Sequence, residues 1–227
     1  NIGASGGGAS ANSANGTAIV GLNQGNDGGD ATNAGGGGGG GASTAGQSVT
    51  SNTGGNGGDG LQYAFPTAYY FSGGGGGGGY TANGGNGGLG GGGGGSSRSS
   101  GTPGTGDTNG INSAGDGVLN GVGGAGGLNT GGGGGGANDI SSPDLGGQGG
   151  SGIVIVRYDK AGGQLATGGT VTSDSDYYYH TITDSGTFTV NASATTPRIS
   201  VGEEGAGSGG TEVTSGGYKY HIYTSGA

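Results

Sequence analysis

Until residue 153 the chain alternates glycine with everything else, rather than apolar with polar positions. Uninterrupted glycine fills residues 35–41, 73–79, 90–95 and 131–136. Between and after these runs lie stretches written in G-G-x triplets, at 54–60, 84–90, 123–128 and 146–152. A period of three is that of the polyproline-II helix, which has no internal hydrogen bonds. In that geometry a G-G-x triplet places its side chain on one face, and pure glycine leaves every face bare. Bare faces let neighbouring main chains approach until N–H bonds to C=O. The pattern predicts a layered polyglycine/polyproline-II bundle, with pure-glycine helices inside and triplet helices outside. Successive helices run antiparallel, so alternate loops gather at opposite ends. The x positions, among them Asn56, Asp59, Asn86, Leu89 and Leu128, then face solvent.

At Ile153 the pattern changes. Residues 153–158 (Ile-Val-Ile-Val-Arg-Tyr) are short, apolar and β-branched, which predicts a buried strand closing the glycine-rich domain. Strand-like stretches follow at 170–172, 177–183, 187–190, 198–201, 211–214 and 218–224. Period-two alternation at 177–180 and 187–190 predicts small, half-exposed antiparallel sheets. This tail repeats itself: Gly168-Gly169-Thr170 with 177–183 recurs as Gly209-Gly210-Thr211 with 218–224. The second copy stops one strand short, which leaves an open sheet edge. The expected organisation is a glycine-rich domain at 1–158, a β module at 159–208 and the start of a second, incomplete module at 209–227. A chain that starts at Asn1 is read as processed or as a piece of a longer polypeptide.

Composition sharpens this picture. With 74 glycines, 27% hydrophobic residues and a net charge of −9, the usual rule predicts disorder. Ordering glycine costs roughly 1–2 kcal/mol per residue, and only interhelical main-chain bonds at about 1 kcal/mol each can offset it. The alternation of pure runs with triplet blocks decides for a folded bundle, because random low complexity does not produce it. Collagen is excluded by only 4 prolines and a frame that resets at each loop. No cysteine is present, so disulfides and thiol chemistry are excluded. No apolar stretch approaches the ~20 residues of a membrane span, so no membrane insertion is expected. Nucleic-acid binding is not expected either, because the five basic residues are scattered.

Candidate chemistry is sparse. Matches to G-x-G-x-x-G arise by chance in such a chain, and none carries a following G-K-[ST]. His180 and His221 occupy equivalent repeat positions beside tyrosines and read as recurrent sheet-surface residues. Asp174 and Asp176 lack a calcium-loop pattern and read as turn formers. Glu203 and Glu204 read as solvated charge. No enzymatic activity, metal or cofactor is expected. Residues 61–71 differ from the rest: this one connection holds Tyr63, Phe65, Tyr69, Tyr70 and Phe71. Those aromatics either cap one end of the glycine bundle or pack under the strand at 153–156, or else part of the cluster stands exposed as a contact surface. Rigid tyrosines supply contact area at low entropic cost. In the second case Tyr63, Phe65, Tyr69, Tyr70, Phe71 and Tyr80 are the candidate receptor-binding residues. Residues 96–120 and 137–145 read as long polar loops.

The stretch 149–158 behind its glycine runs resembles the closing sequence of the glycine-rich domain of bacteriophage tail fibres. Residues 168–190 resemble the short β-module that recurs beside that domain. The resemblance implies a virion surface protein, a tail fibre or its tip, extracellular and non-enzymatic. Distal adhesins of T-even-like phages carry polyglycine-II sandwiches whose end loops contact a receptor. Expected partners are therefore copies of itself, other virion proteins, and a host surface glycan or outer-membrane protein. In the family a strand precedes the glycine domain; none precedes Asn1, so the domain's beginning is expected to be missing. A purely architectural shaft or filament subunit is the alternative. Ice binding is a third, disfavoured because the triplet x positions form no repeating Thr or Ala row.

Overall fold

A computed structural model of the chain describes residues 25–31, 35–65, 67–138, 145–191, 211–215 and 218–222. The expected strand at 198–201, together with Glu203 and Glu204, lies outside these residues. Among the described residues there is no α-helix; regular structure consists of small antiparallel sheets and one 3-10 turn at Lys160–Gly162. No helix among them is long and apolar enough to cross a membrane. The chain divides into two compact units, Asn1–Asn191 and Ala192–Ala227.

Glycine organises the first unit through main-chain bonds between segments. In a β-strand the chain returns to the same neighbour every second residue; here it returns every third. Gly92 and Gly95 donate to Gly88 and Gly85, whereas Gly93 and Ser96 donate to Gly133 and Gly136. Gly94, between them, donates to Gly115. The carbonyls follow the same rule: Gly91 and Gly94 accept from Gly127 and Gly124, Gly92 and Gly95 from Asp107 and Gly104. Residues 90–97 thereby bond on all sides, to 73–79, 84–89, 101–107, 113–118, 122–128 and 131–138. All of 73–79 and 90–97 are buried.

The order of bonds fixes direction. Residues 36, 39 and 42 donate to 78, 75 and 72, an antiparallel pairing, whereas 55 and 58 donate to 36 and 39, a parallel one. Extended along the chain, successive segments reverse. The turns at 41–44, 89–91, 107–113 and 128–131 share one end of the unit; those at 50–53, 79–83 and 97–101 share the other. Two segments lie inside the stretch expected to be a long polar loop. Residues 101–107 and 113–118 bond to each other and to 90–97, with glycine at 101, 104, 106, 115 and 117, where an added Cβ would meet neighbouring main chain.

Space explains the composition. A Cβ on Gly76 would lie 2.0 Å from the carbonyl oxygen of Gly85, and one on Gly75 would lie 2.0 Å from that of Gly134. Backbone cannot yield to such an intrusion as a flexible side chain can. The triplet x positions are not buried, and Leu128 is 66% exposed.

After Gly152 the chain leaves this arrangement as β3 (Val154–Asp159), taking β1 (Leu61–Phe65) and β2 (Thr67–Phe71) as the earlier strands. Strand β3 pairs antiparallel with β6 (Tyr177–Ile182), which also pairs with β5 (Thr170–Ser173), giving the order β3-β6-β5. Ala166–Thr167 (β4) pairs with Thr189–Val190 (β7). The expected buried closing strand is instead the edge of this sheet, and Val154 is 57% exposed. In the second unit β8 (Thr211–Ser215) and β9 (Tyr218–Ile222) form a hairpin in the register of β5 and β6, shifted by the repeat.

The crowding at Gly76 and the open space at Gly149, where a Cβ meets nothing closer than 3.7 Å, give a paired prediction. Gly76→Ala destabilises by more than about 3 kcal/mol or prevents folding, whereas Gly149→Ala leaves the thermal midpoint within about 2 °C of wild type. Thermal unfolding followed by circular dichroism checks both.

Candidate binding surface

The aromatic connection is a hairpin rather than a loop. β1 and β2 pair across Pro66 in the register Leu61↔Phe71, Gln62↔Tyr70 and Tyr63↔Tyr69. Alternation about the pairing puts Leu61, Tyr63, Tyr69 and Phe71 on one face and Gln62, Ala64, Ala68 and Tyr70 on the other. Tyr63 and Phe71 meet with ring centroids 6.4 Å apart. Leu61 is 38% and Tyr63 46% exposed, and Tyr69, Tyr70 and Phe71 are half-buried. Phe65 lies in β1. The sequence signal for this hairpin was the alternation Leu61/Tyr63/Phe65, masked by the small Ala64 and Ala68.

The base of the hairpin is pinned on several sides. Gly60 N–H donates to Leu89 O, Tyr70 N–H to Asn109 O, and Ser72 N–H to Thr130 O. Its neighbour, the turn at 107–110, is organised by one carboxylate. Asp107, 6% exposed, accepts from the main-chain N–H groups of Gly90, Gly91, Asn109 and Gly110 and from the Asn109 side chain. Burial pushes this carboxyl up, but the bonds from Asn109, Gly91 and Gly90 outweigh burial and hold it below the ordinary carboxylate value. Tyr80, by contrast, stands at the opposite end of segment 73–79 from the hairpin. There its N–H donates to Asn52 O, and Arg98 lies over its ring at 4.6 Å. The candidate set therefore splits: the other five belong to one hairpin and Tyr80 does not.

The histidine expectation is corrected. His180 is fully buried, not a sheet-surface residue. It stacks on Tyr158 and meets the edge of Phe188. Its Nδ1 bonds to Gly168 O, which accepts, so Nδ1 carries the proton and Nε2 accepts from the Tyr158 hydroxyl at 2.9 Å. The hydroxyl oxygen in turn accepts from Ala166 N–H. The reason is register: His180 sits opposite Val156 and Val171 in the central strand, under the loop that carries Gly168. His221 lies in β9.

Asp174 does form a turn. Its carboxylate accepts from the N–H groups of Asp176 and Tyr177 and from the Tyr179 hydroxyl. The Tyr179 bond is the main cause holding Asp174 below its usual value, and the same bond pushes Tyr179 up. An open cleft of about 460 Å³ beside it is lined by Asp159, Lys160, Ser175, Asp176 and Tyr177. Among the described residues no group of three His, Cys, Asp or Glu is placed to hold a metal.

One arrangement was not read from the sequence. Segments 44–50, 53–59, 83–89 and 102–108 lie side by side, joined in register by main-chain bonds, over 35–41, 73–79 and 90–97. On their outer side one N–H in three has no neighbouring segment to reach among the described residues. Side chains take it instead: Asn56 Oδ1 accepts from Asn86 N–H, and Asn86 Oδ1 from Thr105 N–H. Asn56 Nδ2 completes the ladder by donating to Gln47 Oε1. Parallel rungs run from Thr44 Oγ1 to Asp59 to Leu89, and from Asn83 to Thr102. The available signal was the Asn in successive triplets, Asn56 and Asn86, followed by Thr105.

Asp107 yields a pH prediction. Because its folded value is depressed, its contribution is fully present above the ordinary carboxyl value of 3.8 and is lost as pH falls through the lower folded value. Asp107→Asn, which turns an amide N–H₂ towards main-chain donors, costs about 3 kcal/mol at pH 7. The gap to wild type narrows in melts taken below pH 4; a gap independent of pH contradicts this. Compared with protein-family models, curated proteins and solved structures, the chain matches none.

Proposed function

We propose that this protein is a non-enzymatic structural and adhesive component of a bacteriophage tail fibre or similar virion appendage. In this reading the glycine segments are left-handed polyglycine-II helices forming a rigid bundle, and the β1–β2 hairpin is the surface it displays. Support for the helices comes from the return to each neighbour every third residue and from carbonyls occupying the space of absent Cβ atoms. Support for display comes from a hairpin whose base is pinned while Leu61 and Tyr63 stand open to solvent. That face of Leu61, Tyr63, Tyr69 and Phe71, exposed at its first two members and half-buried at the others, on an anchored base, is the observation that carries the proposal. Its partner is a host-surface glycan or outer-membrane protein, met outside the cell; no cofactor takes part. Loops at helix ends vary without disturbing main-chain bonds, which suits a scaffold for recognition.

One observation favours the architectural alternative, a shaft subunit that contacts only copies of itself. Gly146, Gly149 and Gly152 are exposed at a spacing of three, and a Cβ on Gly152 meets nothing within 4 Å. Elsewhere a glycine in this pattern is required by a neighbouring segment.

Two measurements separate the readings. Changing Tyr69, Tyr70 and Phe71 together to alanine lowers binding to host cells at least about tenfold, with the far-ultraviolet spectrum unchanged; wild-type binding by a well-folded triple variant refutes the adhesive reading. Gly149→Ala with Gly152→Ala abolishes self-association in analytical ultracentrifugation if the architectural reading holds, and changes nothing if it does not.

A further inference from the structure

The polar ladder on the outer side of segments 44–50, 53–59, 83–89 and 102–108 is unused by any role described so far. Its chemistry is set by which atoms are already committed. The Oδ1 atoms of Asn83 and Asn86 accept from main-chain N–H groups of the next segment, at 2.9 and 3.0 Å. An amide whose oxygen is held this way has its flip decided by the backbone and keeps its N–H₂ as a donor: Asn56 gives its own to Gln47, and those of Asn83 and Asn86 belong to exposed side chains. Asn83, Asn86, Thr102 and Thr105 are all exposed. Their rungs repeat every three residues, about 9 Å apart at about 3.1 Å per residue. The Asn83 and Asn86 side chains are locked by bonds to rigid main chain, so little of their rotamer freedom remains to be lost on binding.

We infer that this face is a binding platform for an uncharged, linear, hydroxyl-rich polysaccharide, whose hydroxyl and ring oxygens accept from the fixed amides of Asn83 and Asn86 and from the neighbouring threonine hydroxyls. Charge argues for a neutral ligand: Gln47, Asn56, Asn83, Asn86, Thr102 and Thr105 are uncharged, and the ladder's ionisable member, Asp59, is a carboxylate that repels an anionic one. A neutral glycan also avoids repulsion by a chain of net charge −9. Position argues for an extended one. Segment 53–59 runs through Gly60 directly into β1, so the ladder is continuous with the aromatic hairpin, whose rings stack on sugar faces. The inference deepens the adhesive reading and rests on it: the hairpin and the ladder hold one extended glycan, and a protein receptor is not needed.

The test is affinity electrophoresis of the full chain through gels containing dextran, amylose or a linear galactan, alongside host-cell binding. Thr102→Arg with Thr105→Arg projects bulk over the ladder from two exposed positions while leaving the backbone bonds to Asn83 and Asn86 in place; an unchanged thermal midpoint verifies that the variant folds. At least one polysaccharide retards the wild type, and the double variant loses that retardation about tenfold. Absence of retardation in every gel, or equal retardation of the double variant, overturns the inference. Slowed ice growth by the wild type with no retardation in any gel overturns it too, reassigning the face to an ordered water surface. The two proposals fail separately. If the hairpin variant loses cell binding while the double variant keeps its retardation, the adhesive reading stands and the platform falls. If the hairpin variant binds cells normally while the double variant loses retardation, the adhesive reading of the hairpin falls, and with it the shared glycan, while the ladder's own glycan binding stands.

Discussion

Main-chain hydrogen bonding between glycine segments is the interaction on which the rest of this structure depends. It works only because the Cβ is missing: at Gly75, Gly76 and Gly95 the position a methyl would take lies 2.0 Å from a neighbouring carbonyl oxygen. In an ordinary domain cohesion comes from apolar side chains removed from water. Among the described residues the buried side chains are few and mostly polar, Ser96, Ser97, Thr130 and Asp107 among them. Cohesion is carried instead by N–H and C=O groups, whose satisfaction is obligatory once they are buried. A segment such as 90–97 satisfies this in every direction, which no strand in a sheet does.

The outer segments show what happens where that network runs out. An N–H that faces away from the unit meets the carboxamide or carboxylate of a residue on the adjacent segment, as Asn86 meets Asn56 and Leu89 meets Asp59. The same logic, applied to a turn, gives Asp107 its cluster of donors and fixes the base of the β1–β2 hairpin. Backbone satisfaction thus determines where polar side chains must sit, and the surfaces available for binding follow from it. The β module is held differently: a buried His180 hydrogen-bonded to the half-buried Tyr158 and to Gly168 O, in place of a large apolar core.

How far this was legible in the sequence depended on spacing. The pure runs and G-G-x triplets have a period that survives inspection, so the segments at 35–41, 54–60, 73–79 and 131–136 were recognisable. Residues 101–107 and 113–118 were not, because each needs glycine only where a neighbour approaches, and the remaining positions read as polar loop. The strands at 170–173 and 177–182 showed through their β-branched and aromatic residues, whereas the two-residue β4 is too short to leave a pattern. Of the candidate site, the five aromatics of 61–71 were visible as a cluster, but their pairing, and the separation of Tyr80, depended on which end of the unit each connection occupies. The outer ladder was invisible for a further reason. Asn56, Asn86 and Thr105 become neighbours only through the parallel register of their segments, which lies 30 and then 19 residues away in sequence.

Amide hydrogen exchange followed by nuclear magnetic resonance across residues 92–96 tests the central claim most directly. Main-chain bonding to a different neighbour at each successive residue requires slow exchange at Gly92, Gly93, Gly94, Gly95 and Ser96 alike. Protection at alternate residues would mean the edge strand of an ordinary sheet, and rapid exchange at all five a coil; either result contradicts the account.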